Sequence, residues 1–207
     1  MKRSLFYLII ILIDTATAFF ACTKESSYEG SVLVIDAKNV LNNSWRINSV
    51  EARMFKTKTQ FISLAKSDYQ NASFTLILPN IIAKENLDGD DNGRLGLVEI
   101  GTYNVSGNLT GALFLADTVK KVQVHYTYAD RNFNVHGTFD FEGIEYSTQV
   151  WDCSFVKGWN MLYVEVIDNK TISFTTEQPS GINLQWYFSK PPLIDKPDSW
   201  KHILLLK

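Results

Sequence analysis

Apolar and polar residues alternate with a period of two along most of this chain. That period puts successive side chains on opposite faces of an extended backbone, so it specifies strands and excludes amphipathic helices. Ser31–Ala37 reads as a strongly apolar strand. Over Val50–Thr57, Val50, Ala52 and Met54 alternate with Glu51, Arg53 and Phe55, and Ser73–Leu78 is stopped by Pro79. Further strands are expected near Ala112–Ala116, Val119–Tyr128, Phe133–Phe141, Ile144–Phe155, Trp159–Ile167, Ile172–Thr176 and Leu184–Phe188, while the acidic stretch between Asn80 and Glu99 reads as a polar connection. Turn formers separate these runs at sandwich-like intervals. The expectation is an all-β fold, an antiparallel β-sandwich of immunoglobulin-like or related Greek-key topology with about ten strands. Helix signals are few; Ser199–Leu206, after Pro197, reads as one or two turns.

One hairpin can be placed in register. A tight turn at Asp130-Arg131 pairs Val122 with Phe139, Val124 with Gly137, Tyr126 with Val135 and Tyr128 with Phe133, and sets His125 opposite His136 on the other face. Apolar residues then meet apolar ones, as a half-buried antiparallel pair requires. A second turn at Glu142-Gly143 pairs Phe139 with Tyr146 and Val135 with Val150, but strands Trp151, Cys153 and Phe155 on the wrong face; a bulge near Val150–Trp151 or burial of both faces would reconcile them.

The N-terminus has a different grammar. Lys2 and Arg3 precede an apolar run from Leu5 to Ile13, too short to span a bilayer and interrupted by Asp14, and small residues follow. Two cleavage sites compete: Ala16-Thr17-Ala18, whose use would release a soluble protein, and Phe19-Phe20-Ala21-Cys22, which resembles the lipobox of a bacterial lipoprotein. The second implies lipidation at Cys22 and a membrane anchor of several acyl chains. The polar Thr23–Ser27 resembles the tether of Bacteroidetes-type lipoproteins, and Thr23 resembles a signal for the outer membrane. The chain divides accordingly into a signal (1–21), a tether (22–29), one β-sandwich domain (30–190) and a Pro-containing tail (191–207). With Cys22 acylated, Cys153 is the only remaining thiol, so no intrachain disulfide is expected and Cys153 reads as a small buried apolar residue. The 20 basic and 22 acidic residues form no basic stripe, which argues against nucleic acid as a partner.

The segment from Tyr126 through Asp130, Val135 and Gly137, followed by Lys157-Gly158-Trp159-Asn160 leading into Met161–Tyr163, resembles a group of Bacteroidetes envelope lipoproteins of unknown function. The resemblance covers about Lys120–Ile167 and implies a β-sandwich at the cell envelope; it supplies no catalytic residues.

Three constellations carry chemistry. Asp88, Asp90, Asn92, Gly93, Arg94 and Glu99 stand at the spacing of an EF-hand-type loop, in which alternate oxygens, the Arg94 carbonyl and a closing Glu99 would enclose Ca²⁺, the one cofactor expected. The flanks lack the exiting helix, and a solvated acidic turn is the competing reading. The His125–His136 pair offers two imidazoles for a metal, or an exposed polar pair. Trp159, Tyr163 and Trp186 are either stacking platforms for sugar rings or core. Asp117-Thr118-Val119 also resembles a short O-glycosylation acceptor of Bacteroidetes envelope proteins. Nucleophile-elbow, zinc-protease and phosphate-loop signatures are missing. The expected function is a membrane-anchored binding or assembly module, not an enzyme, whose partner is a glycan or another envelope protein. A glycan-binding or glycan-active protein of an outer-membrane polysaccharide system is the alternative.

Overall fold

The computed structural model describes residues 32–42, 47–55, 60–142 and 146–189. The signal with Cys22, the tether, and the tail with its expected helical turns lie outside them. The fold is all-β and open, without closure into a barrel. Its thirteen strands are β1 (Leu33–Ala37), β2 (Ser49–Phe55), β3 (Phe61–Asp68), β4 (Phe74–Leu78), β5 (Asp88–Asp90), β6 (Gly93–Tyr103), β7 (Leu109–Asp117), β8 (Val122–Ala129), β9 (Phe133–Asp140), β10 (Thr148–Phe155), β11 (Gly158–Val166), β12 (Thr171–Thr175) and β13 (Gln185–Ser189). Ten of these coincide with strands expected from alternation. β3, β5 and β6 are additions, and the last two run through the segment read as a polar connection.

β1 and β4 form a small antiparallel sheet; the other eleven strands form one long sheet in the order β3-β2-β6-β7-β8-β11-β12-β10-β9, with β13 added to β7 and β5 to β6. Among the described strands all pairings are antiparallel except β10 with β12, and an isolated parallel bridge joins Leu41 to Tyr187. β6, β7 and β8 are each antiparallel to the other two. Three lines cannot satisfy that in a flat sheet. Each pair therefore meets over only part of its length, and the sheet folds at this junction.

Folding gives the long sheet two buried faces. On one, β1–β4 packs as a second layer: Ile35, Ala37, Phe74, Leu76 and Leu78 meet Val50, Ala52 and Met54 of β2, Val98 and Ile100 of β6, and Trp159 and Trp186. On the other, the sheet curls over itself. Leu95, Ala129, Leu162 and Val164 form one wall of this second core, and Trp151, Cys153, Phe155 and Phe174 the other. The Trp151 and Phe174 rings stack with centroids 4.2 Å apart, a geometry worth roughly 0.5–1.5 kcal/mol beyond the area it buries. Gly93 allows the curl to close, because a Cβ there would stand 2.6 Å from the Phe133 ring.

Both expected hairpin registers are corrected. β8 does not pair with β9: its edges are taken by β11 and by β6 with β7, and β11, β12 and β10 stand between the two strands. The pairing that forms sets Trp159 against Tyr128 and Tyr163 against Val124 on one face, with Leu162 opposite His125 on the other, and so buries larger rings than the hairpin would. β9 does pair with β10, but Val135 lies opposite Cys153 and Phe133 opposite Phe155. This register is displaced by three residues from the expected one. An odd displacement exchanges the faces, so Trp151, Cys153 and Phe155 join the core without a bulge.

Candidate functional site

β10 and β11 are joined by only Val156 and Lys157, and the Asn160 side chain clamps this turn. Its Oδ1 accepts from the Val156 N–H at 2.9 Å, and its Nδ2 donates to the carbonyls of Val156 and Gly158 at 2.8 and 2.9 Å. From the clamp the strands diverge, because β12 inserts between their far ends, with Ile172 opposite Gln149 on one side and Val166 on the other. There the curled face opens into a cleft of about 700 Å³. Gln149, His125, Val164 and Phe174 are buried residues of its lining, and Phe114, Gln123 and Ile172 are half-buried ones.

Two braced hairpin turns contribute to the lining. In the β7–β8 turn, Asp117 Oδ1 accepts from the Val119 and Lys120 N–H groups, both at 3.0 Å, while Oδ2 accepts from Asn183 N–H at 2.7 Å. In the β11–β12 turn, Asp168 Oδ1 accepts from the Lys170 and Thr171 N–H groups at 2.8 and 2.9 Å. These amides, Asn183 foremost for Asp117 and Lys170 for Asp168, hold both carboxyls below the usual range. Each carboxylate is thus committed to backbone amides. Burial drives the His125 pKa down to about 3, so its ring is neutral at pH 7. Gln149 Oε1 accepts from Trp151 Nε1–H at 3.2 Å.

No family model, curated protein or solved structure matches the chain. Its site is therefore read from its own geometry.

Of the residues singled out by sequence, only His125 and the Asp117-Thr118 pair line this cleft. Asp88–Glu99 forms a hairpin, with Asp88 opposite Leu95 and Asp90 opposite Gly93, and Asp91-Asn92 as its turn. Asp90 Oδ1 accepts from Asn92 N–H at 2.7 Å. Arg94 N–H donates to Asp130 Oδ1 at 2.9 Å. Glu99 lies about 20 Å further along β6 at strand rise, where Arg53 Nη2 donates to its Oε2 at 3.0 Å. The five proposed calcium ligands are thus not brought together: an extended β6 carries Glu99 away from the turn. Among the described residues no group of three or more His, Cys, Asp or Glu side chains is placed to hold a metal ion.

The two histidines are also apart. His125 is buried beside the cleft, and exposed His136 contacts Asp152 at 2.8 Å. Trp159, Tyr163 and Trp186 are core residues, 7%, 4% and 8% exposed. Trp159 Nε1–H donates to the Pro79 carbonyl at 2.8 Å, and its ring meets Tyr128 edge-on; Trp186 meets Phe74 in the same way. None of the three offers an open ring face. Thr118 is exposed in the β7–β8 turn and lines the cleft. Cys153 is fully buried, and burial pushes its thiol up to about 12.

Gln149 escaped the sequence reading, yet a signal for it exists. In the register that forms, Gln149 shares a face with Trp151, Cys153 and Phe155. One polar residue on an otherwise apolar strand face marks either a buried hydrogen-bond network or a site.

Proposed function

We propose that this protein is a lipid-anchored envelope protein whose β-domain binds a small ligand in the cleft beside β12. The observation that carries the reading is the cleft itself. Its volume falls within the range of small-molecule sites, and its lining sets apolar side chains such as Phe114, Val164, Ile172 and Phe174 beside at least as many polar ones, which would let it bind a ligand that is itself largely polar. The committed carboxylates favour binding over glycoside hydrolysis, which needs two carboxyl groups free to act as acid and as base or nucleophile. The anchor rests on the lipobox-like Phe19–Cys22 and the polar residues after it.

Two experiments test the two halves. A panel of small glycans is expected to contain a ligand that raises the melting temperature of the wild type but not of Ile172→Trp, whose indole would intrude on the cleft beside Gln149. Equal responses from both proteins would remove the cleft from the proposal. Metabolic palmitate labelling is expected in the full chain and not in Cys22→Ala; an unlabelled wild type would dismiss the anchor.

A further inference from the structure

We propose that the outward face of the β1–β4 sheet rests on the lipid surface to which the chain is anchored, holding the domain in one orientation with its cleft open to solvent. This docking rests on the reading of Cys22 as the lipidated residue, and adds a second, non-covalent contact to it.

Antiparallel strands with one buried face normally carry polar side chains on the other. In β1 and β4 the inward residues Ile35, Leu76 and Leu78 pack into the first core as expected, but the outward ones break the rule. Val34 and Ile77 are direct cross-strand partners, and Val32 stands two residues earlier in the same alternation. Ile81 follows in the segment that leaves β4. These four side chains are between 49% and 72% exposed. The segment with Ile81 is pinned, because the Pro79 carbonyl accepts from Trp159 Nε1–H and the next residue, Ile82, is buried. The face turns polar only at its far end, where Asp36 accepts from the Thr75 hydroxyl at 3.0 Å and pairs with Lys38 at 3.1 Å. Clustered exposed apolar side chains of this kind mark a surface that meets a partner.

Two observations choose the partner: where the face sits in the chain, and how small it is. Its apolar end is the end nearest the anchor. Val32 stands ten residues after Cys22, and a chain of that length reaches no more than about 35 Å even when fully extended. Lipid is therefore always within reach of this face, and a contact too weak to recruit a free protein is enough to orient an anchored one. A second copy would ask for more. Two strands of five residues present a face of about 17 Å by 10 Å, far below the roughly 800 Å² per partner of a stable dimer. The lining of the cleft shares no residue with β1, β4 or the core beneath them, so docking leaves it uncovered.

The test places a nitroxide label on the full chain by Ile77→Cys, by Val34→Cys and, as a reference beside the cleft, by Val119→Cys in the exposed β7–β8 turn. In palmitate-bearing protein Cys22 is blocked and Cys153 is fully buried, so the introduced thiol takes the label. In vesicles of phosphatidylethanolamine and phosphatidylglycerol, labels at positions 77 and 34 are expected to be roughly fivefold less accessible to a water-soluble relaxing agent than the label at 119, and more accessible to dissolved oxygen. Either position suffices if the other variant folds poorly. Equal accessibility at all three positions in palmitate-bearing protein overturns the docking and leaves the anchor standing. A chain without palmitate removes the anchor, and the docking with it. Protection that fades as the protein is diluted in lipid assigns the face to a second copy, and protection that persists in lipid-free Cys22→Ala protein assigns it to another part of this chain; both overturn the lipid surface.

Discussion

Acidification from pH 7 to pH 4.5 is expected to cost the domain about 3 kcal/mol through His125 alone. An unfolded histidine takes up a proton near pH 6.5. In the folded state burial lowers the value to about 3, because the ring sits on β8 between the strands that wall the cleft. A depressed folded value means that stability is complete above pH 6.5 and declines as the pH falls towards 3, since only the unfolded chain binds the proton. Each pH unit within that window costs about 1.4 kcal/mol, a large share of the roughly 5–15 kcal/mol that holds a domain together. The carboxylates act in another window. Asp36, Glu51, Asp117 and Asp168 are all held below their ordinary values, so their contribution is complete above about pH 5 and is lost progressively below it. Urea unfolding at pH 7, 6 and 5 therefore reports chiefly the histidine, and the pH 4.5 point is read against His125→Gln. His125→Gln should flatten the slope over this range. A wild type equally stable at pH 7 and 4.5, or a slope unchanged in the variant, would refute the assignment.

The same histidine shows where sequence stops being informative. Alternation located ten strands because period two is a property of each strand on its own. It could not say which strands meet. The Val122–Ala129 strand presents a face of Val122, Val124, Tyr126 and Tyr128 that is complementary to Phe133–Phe139 and equally to Trp159–Tyr163. Only the competition for edges across the whole sheet selects the second. Once that partner changes, His125 and His136 separate, and Trp159 becomes core. Gln149 was hidden for a related reason, because its face depends on a register that a displacement of three residues inverts. The EF-hand spacing misled for a different one: Asp, Asn and Gly are the residues of tight hairpin turns as well as of calcium loops. What distinguishes the two is the backbone beyond Gly93, where Leu95, Leu97 and the β-branched Val98 and Ile100 make a strand.

Glu99 gains a different role from that strand, and with it the second large effect. Arg53→Met is expected to destabilise the domain by about 2 kcal/mol, less than the roughly 3–5 kcal/mol of a fully buried pair because the Glu99 side chain left without its partner is 21% exposed. The Arg53 side chain is 5% exposed; Nε and Nη2 both donate to Glu99 Oε2, at 3.2 and 3.0 Å, and Nη1 donates to the Tyr103 hydroxyl at 3.3 Å. Its guanidinium carbon lies 4.7 Å from the centre of the Phe61 ring. Gly101 makes the space, since a Cβ there would stand 3.3 Å from the same carbon. On the adjoining strand position, burial acts to raise the Glu51 pKa, but hydrogen bonds with Ser63, Tyr103 and Lys66 outweigh it and hold the group low. The cluster thus links β2 to both of its neighbours, through Glu99 on β6 and through Phe61, Ser63 and Lys66 on β3. Methionine keeps the aliphatic stem and removes the charge, so the loss measured is chiefly electrostatic. If so, Arg53→Met combined with Glu99→Met should recover most of it, because two apolar side chains of similar length replace the pair without stranding a charge. None of these residues lines the cleft, so ligand affinity should be unchanged in the double variant while urea unfolding reports the stability. A single variant within about 0.5 kcal/mol of wild type, the range of an ordinary surface change, would mean that Glu99 is adequately solvated on its own and that the pair does not hold these strands together.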